Sequence, residues 1–461
     1  MRVTHYPGRI SLPTRGLRAP RLLFAGTPAV LRTPRPFAGP WLVWAILFSL
    51  IPGGIPVAVA GRTPSIMYFD ILMAFVLLLL LGKLALRSCR FSFEDRPVLT
   101  ISFAYVVAQV VSLWFSQFDI LKAILAIKVF LFGSLTYFIS LAVLKTPRHV
   151  KRAVYGLVFF ATTVSVVLLF YYFTEWGKEF TENAMGNKVL VSMGMAANNF
   201  LAAMIVFILP LSVGLVLSER GTRRFVFSAT TGVTILGLAL TMSRGALVSL
   251  LFGILITSPL LIRAGIRIKH IAIVGAILVC FTYAVPKQVV ESFAKLGEQY
   301  DISRVRSLPS TFSSRWDMIQ VGWEAFLDHP IVGIGPAASY DYNWMVLRKV
   351  GLGSHNFVVG QFAELGLLGG IPFMILVVLL VRRCYRLYAV SLNDEKDKYL
   401  GLALLAGIII TLVCGQFGDA FLVQAYVAVF WVFMAVVRAQ SRLLLQRKRE
   451  TVTKNGSIGL A

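Results

Sequence analysis

Runs of about twenty apolar residues alternate along this chain with short polar and basic interruptions, the length at which a helix crosses a hydrocarbon core. Such runs near 41–60, 67–86, 98–115, 120–144, 152–174, 198–218, 225–242, 245–262, 270–285, 356–381, 398–417 and 420–437 predict twelve spans. Runs of this length rarely carry the period-two alternation of a barrel strand, which leaves helices to satisfy the backbone in lipid. The expected fold is an all-α polytopic membrane protein with a long outer loop between its ninth and tenth spans. Five segments follow: a basic, disordered tail over 1–40, nine spans over 41–285, a loop over 286–355, three spans over 356–437 and a basic tail over 438–461.

Composition agrees with this reading: the 461 residues are 57% hydrophobic and only 14% charged. The formal net charge of +24 does not point to nucleic acid, because Lys and Arg form short clusters between apolar runs rather than one aromatic-rich surface. Basic clusters follow every second span, at Lys83 to Arg96, Lys145 to Arg152, Arg220 to Arg224, Arg263 to Lys269, Arg382 to Lys398 and Arg438 to Lys454. Under the positive-inside rule these lie in the cytoplasm with both termini. The first forty residues hold seven Arg and no acid, and the apolar run after them outlasts a signal's hydrophobic region, so a retained tail is expected rather than a cleaved leader. Cys89, Cys280, Cys384 and Cys414 show neither a disulfide framework nor zinc spacing.

Parity of the crossings turns the polar interruptions into a map. "TMSRGA" splits the apolar stretch 225–262 between two cytoplasmic flanks, so Arg244 faces outward. "GQFGDA" turns at the same face and carries Asp419, and the loop before residue 356 brings Arg315 and His355 to that side. Within the loop, Trp316, Ile319, Trp323 and Phe326 recur at helical spacing, and Ser314 with Asp317 forms a capping-box signal that would put Arg315 in the first turn. "HPIVGIGP" and "GLGSHN" read as turns that return the loop to the membrane.

Helix N-termini present unpaired N–H groups, and an Arg in a first turn adds a bidentate fork suited to phosphate oxygens. Arg244 and Arg315 fit that description, although Arg244 also reads as an interfacial snorkel and Arg315 as a solvated loop charge. His355 stands at a helix mouth, where an imidazole with an ordinary pKa near ~6.5 accepts a proton at neutral pH or simply marks the interface. Asp419 could orient that imidazole or serve as a turn residue after Gly418. Asp70, Lys122, Lys128 and Glu364 fall in or near spans, where charges are costly and usually paired, so they bind substrate or stabilise packing.

"TMSRGALVSLLFGIL", "SSRWDMIQVGWEAFLDHPIVGIGP" and "SHNFVVGQFAELGLLGG" resemble, in this order, the hallmark blocks of the bacterial O-antigen ligase and O-antigen polymerase superfamily. "MAANNFLA", around Asn198 and Asn199, resembles the Asn-containing start of an earlier span in that family. The resemblance covers about 190–375. It implies an inverting, metal-independent glycosyltransferase of the bacterial inner membrane, without a cofactor and with a periplasmic active site. The donor would be a glycan on undecaprenyl diphosphate, and the acceptor a hydroxyl of lipid A core, of another glycan or of another molecule. Arg244 and Arg315 would bind the diphosphate, and His355 would activate the acceptor hydroxyl with Asp419 near it. Asn198, Asn199 and Asn356 are further substrate-binding candidates. Membrane lipid and polysaccharide export machinery are the other implied partners.

The acceptor separates ligases, which serve lipopolysaccharide assembly, from O-antigen or exopolysaccharide polymerases. No Arg near Arg244, Arg304, Arg315 or Arg348 is followed eleven residues later by Gly, a spacing associated with some polymerases, and this favours ligase-type transfer. A lipid-linked-glycan transporter or flippase would use the same Arg and His for binding or gating, but transporters hold such groups at mid-membrane. A non-catalytic assembly partner would tolerate loss of His355.

Overall fold

The computed structural model describes residues 39–50, 54–56, 65–85, 94–173, 198–241, 243–266, 311–347, 354, 356–394, 397–418 and 423–458. All of them fall in one compact unit that begins at Pro36. The helices are α1 (Trp41–Phe48), α2 (Tyr68–Ala85), α3 (Arg96–Phe115), α4 (Ile120–Val143), α5 (Pro147–Phe173), α6 (Asn198–Ser218) and α7 (Thr222–Leu240). They continue as α8 (Arg244–Arg263), α9 (Thr311–Asp328), α10 (Ser339–Leu347), α11 (Phe357–Ser391), α12 (Lys398–Cys414) and α13 (Gln424–Ile458).

Among the described residues, eight helices are long and apolar enough to cross a membrane: α3, α4, α5, α6, α8, α11, α12 and α13. The expected count of twelve therefore has a narrower footing. The run 41–60 is not one helix: α1 ends at Phe48, and β1 (Gly54–Pro56) then pairs antiparallel with β2 (Ser65–Met67). "IPGGIP" explains the break, since proline removes a helix donor and glycine loses most entropy on becoming helical. The expected seventh span is a 19-residue helix, α7, that begins on Thr222, Arg223 and Arg224 and falls outside the eight. The expected span 270–285 and the tail over 1–38 lie outside the described residues.

The helices pack so that the two ends of the bundle differ in chemistry. At one end, the buried Asp95 that precedes α3 accepts two hydrogen bonds from Arg383 of α11 and one from Tyr137 of α4. Burial opposes its charge, but these bonds and the charges of Arg383 and Arg438 hold the carboxyl below its ordinary value of 3.8. Glu94 bridges Lys145 and Arg442, and Lys151 of α5 pairs with Glu219 after α6 at 2.6 Å. Arg438, Arg442 and Arg447 stand on α13 itself, which continues to Ile458 through the segment expected as a tail.

Apolar burial fills the middle. Residues 201–209 of α6 and 425–437 of α13 are buried throughout, so these two helices have no lipid-facing stripe there. Close approach is set by small residues: a Cβ on Gly133 would lie 2.6 Å from Trp431, and one on Gly253 2.1 Å from Ile410. Asp70 and Lys128 pair inside the bundle at 2.9 Å, with Gln424 donating to the same carboxylate.

Candidate functional site

The other end of the bundle gathers the helix termini that carry the candidate residues. Ser243 caps α8 by accepting the Ala246 N–H at 3.4 Å, so Arg244 is the first residue of that helix, in its first turn as the sequence predicts. Asn198 is the first residue of α6 and Asn199 the second, the latter exposed. After α12 a single 3₁₀ turn, Gly415–Phe417, leads to Gly418. These three termini enclose one pocket, lined by Asn199, Phe200 and Ala203, by Ser243, Gly245 and Ala246, and by Cys414, Phe417 and Gly418. A Cβ on Gly245 would lie 3.2 Å from Phe417, so the glycine beside Arg244 sets how closely α8 meets the turn.

A fourth terminus joins them through Asn356. Its Oδ1 accepts the N–H groups of Val358 and Val359 at 3.0 and 3.1 Å, which caps α11, and its amide donates to Gln416 Oε1 at 2.9 Å. Gln416 in turn donates to the Leu412 carbonyl. Asn356, a substrate-binding candidate from the sequence, thus spends its side chain on holding α11 against the turn after α12. Gln416 was invisible as a site residue, and its only sequence signal is a lone amide at the end of an apolar run. Ser354 is buried and donates to the Asn356 carbonyl at 3.0 Å. His355, between them, lies outside the described residues, as does Asp419 beyond Gly418.

α9 begins at Thr311, three residues before the expected cap, which puts Arg315 in its second turn instead of its first. Gly322, two turns further on, packs against the 354–359 segment: a Cβ there would lie 2.9 Å from Val359 and 3.6 Å from Ser354. The helix with Arg315 is therefore laid across the start of α11.

α11 itself is broken at Gly366, whose φ of 58° and ψ of −157° are not helical. Across that break the Ala363 and Glu364 carbonyls lose their usual partners four residues on and accept the N–H groups of Ile334 and Gly335 at 3.0 and 2.9 Å. Leu367 and Leu368 N–H, left over on the other side, donate to the carbonyls of Pro330 and Ile331 at 2.8 and 3.0 Å. The loop read from the sequence as a turn is thus inserted as a backbone splice. Only glycine fits: a Cβ on Gly366 would meet the Ile331 carbonyl carbon at 2.4 Å, and one on Gly333, at φ 69°, the Glu364 carbonyl at 2.3 Å. Buried Glu364 completes the splice, its carboxylate accepting from Ala337 N–H at 3.0 Å and Ser339 N–H at 3.4 Å. Lys122 pairs with Asp341 of α10 at 2.6 Å, which ties α4 to the same loop. These charges serve the frame around the site.

Among the described residues no group of three His, Cys, Asp or Glu could hold a metal ion. Residues 229–374 match the family model described as O-antigen ligase. This match places the segment in the O-antigen ligase superfamily. The O-antigen ligase segment runs from within α7 through α8, α9 and α10 to just past the Gly366 break, and includes Arg244, Arg315, His355 and Asn356. Asn198, Asn199 and Asp419 lie outside it. No curated protein matches the chain. The chain thus joins helices long and apolar enough to cross a membrane to a segment similar to the O-antigen ligase family.

Proposed function

We propose that this protein transfers a glycan from undecaprenyl diphosphate to an acceptor hydroxyl at the periplasmic face of the inner membrane, as a ligase in lipopolysaccharide assembly. One observation carries the reading: the described neighbours of Arg244, His355 and Asp419 meet at one end of the bundle, and the helix bearing Arg315 packs on the segment that flanks His355. His355 takes the proton of the acceptor hydroxyl, whose oxygen forms the new bond to the anomeric carbon with inversion. The bond from that carbon to the diphosphate breaks, and the diphosphate leaves with the electron pair. Arg244 and Arg315 neutralise its growing charge by preorganised electrostatics, the work a divalent cation does elsewhere, and Asp419 stabilises the imidazolium.

The opposite end supports the orientation. Arg383, Arg438, Arg442, Lys145 and Lys151 all gather there, as expected of a cytoplasmic face under the positive-inside rule.

Transfer is tested in proteoliposomes with a synthetic diphosphate-linked glycan in the presence of chelator. His355→Ala abolishes turnover while donor binding persists, and Arg244→Ala or Arg315→Ala weakens donor binding. Full activity in all three variants would end the proposal. Surface glycans of a null strain then define the acceptor: long chains stranded on the carrier mark a lost ligation, and single repeats on the surface a lost polymerisation.

A further inference from the structure

The stripe of α9 marked by its helical spacing divides in the fold: Ile319 and Phe326 are partly buried, Phe326 against Phe362 of α11, while the two tryptophans turn outward. Trp316 and Trp323 are 56% and 50% exposed, and Leu327 joins them at 58%. On the side opposite the tryptophans the helix is held to the protein by Met318, Val321, Gly322 and Ala325, all buried. Its acids occupy a third edge: Asp317, Glu324 and Asp328 recur at i, i+7 and i+11, toward α10, where the Tyr342 hydroxyl donates to Asp328 at 3.4 Å. α9 thus has a protein face, an acidic edge and an outward apolar face of Trp316, Trp323 and Leu327, each half exposed or more.

Beyond the end of α9, exposed apolar residues resume beside a helix of membrane-spanning length. Ile331, 67% exposed, follows Leu327 off the end of the helix, and its carbonyl accepts the Leu368 N–H of α11. Leu367, Leu368 and Ile371 are themselves exposed, on a helix long and apolar enough to span a bilayer. The backbone splice therefore fixes the level of α9 against a span, at the height where that span's lipid-facing surface begins. Tryptophans next to such a boundary are characteristic of the headgroup region, where an apolar ring and a polar N–H are both satisfied.

We infer that α9 is a membrane-surface helix: Trp316, Trp323 and Leu327 are seated in the headgroup and upper acyl region of the leaflet at the Asn356 end. The occupant of this face is bilayer phospholipid. The inference holds whether or not the transfer reaction is this protein's. If it is, Arg315 rides on a helix pinned at the level of lipid-linked phosphates.

The test uses the full chain in liposomes, with Cys89, Cys280, Cys384 and Cys414 replaced and a nitroxide attached at Trp323→Cys, Leu327→Cys or Glu324→Cys. Labels at 323 and 327 should collide more often with dissolved oxygen than with a water-soluble nickel chelate, and the label at 324 the reverse. Equal access of the chelate to all three would overturn the inference. So would exclusion of both reagents with spin–spin broadening between labels, which would assign the face to a second copy of the chain. An independent reading keeps the native cysteines: bromine-labelled phospholipid should quench less of the emission of a Trp316→Phe, Trp323→Phe variant than of the parent. Unchanged quenching would also sink the idea.

Discussion

The amide of Asn356 donates to Gln416 Oε1 at 2.9 Å, joining the first residue before α11 to the turn after α12, sixty positions apart. The same side chain caps α11, so one residue sets both where the helix starts and what it leans on. Asn356→Ala should lower stability by about 1 kcal/mol through the lost cap. Asn356→Asp keeps the acceptor and should recover most of that loss while still losing the donated bond. Unfolding in detergent measures both, and a double-mutant cycle with Gln416→Ala should show coupling, because the two groups touch. Additive effects would mean the bond is not formed.

Gly366→Ala should be among the most damaging single-methyl additions in the chain. The new Cβ would meet the Ile331 backbone at 2.4 Å in a conformation, φ 58°, that costs an L residue about 1 to 3 kcal/mol even without the clash. Gly232→Ala in α7 is the control, since nothing lies within 4 Å of its added Cβ. Thermal unfolding should separate the two variants clearly, with Gly232→Ala at or above the parent.

Acid should weaken the basic end of the bundle first. The Asp95 carboxyl is held below 3.8 when folded, so its contribution is complete above the unfolded value near 3.8 and is lost as pH falls through the folded one. Asp95→Asn should flatten the pH dependence of stability below pH ~4. Arg383→Met leaves the buried carboxylate short of its partner and should cost about 3 to 5 kcal/mol at neutral pH. An unaltered acid profile in Asp95→Asn would show that other carboxylates govern it.

Lys128→Met should be worse alone than in company. It removes the ammonium from beside part-buried Asp70, which also accepts from Gln424, and should cost about 1 to 3 kcal/mol. Adding Asp70→Asn removes the stranded charge and should restore most of the stability. If the double variant is no better than the single, the pair is not the reason Lys128 is there.

Much of the membrane architecture was legible in the sequence, because desolvating a backbone in lipid leaves little choice for an apolar run of that length. The limits of α4 and α6 were read within a residue, and Arg244 was placed in a first turn by nothing more than "TMSRGA" between two apolar runs. Local breakers override hydropathy: "IPGGIP" cuts the first run short, and the polar start of α7 sets it apart from the eight. His355 and Asp419 rest on the resemblance and on the positions of their neighbours.

Hydropathy and charge by themselves determined that the chain carries many apolar runs of membrane-spanning length and predicted which polar turns share a side, since both follow from transfer free energies that each segment feels alone. Only the tertiary structure decided that Asn356 holds Gln416, that Gly333 and Gly366 let a loop replace two helical hydrogen bonds, and that α9 shows its tryptophans outward. Those facts depend on which backbone arrives opposite which. A periodic stripe records that a helix has an apolar face, and whether protein or lipid meets it is settled by the neighbours the fold brings.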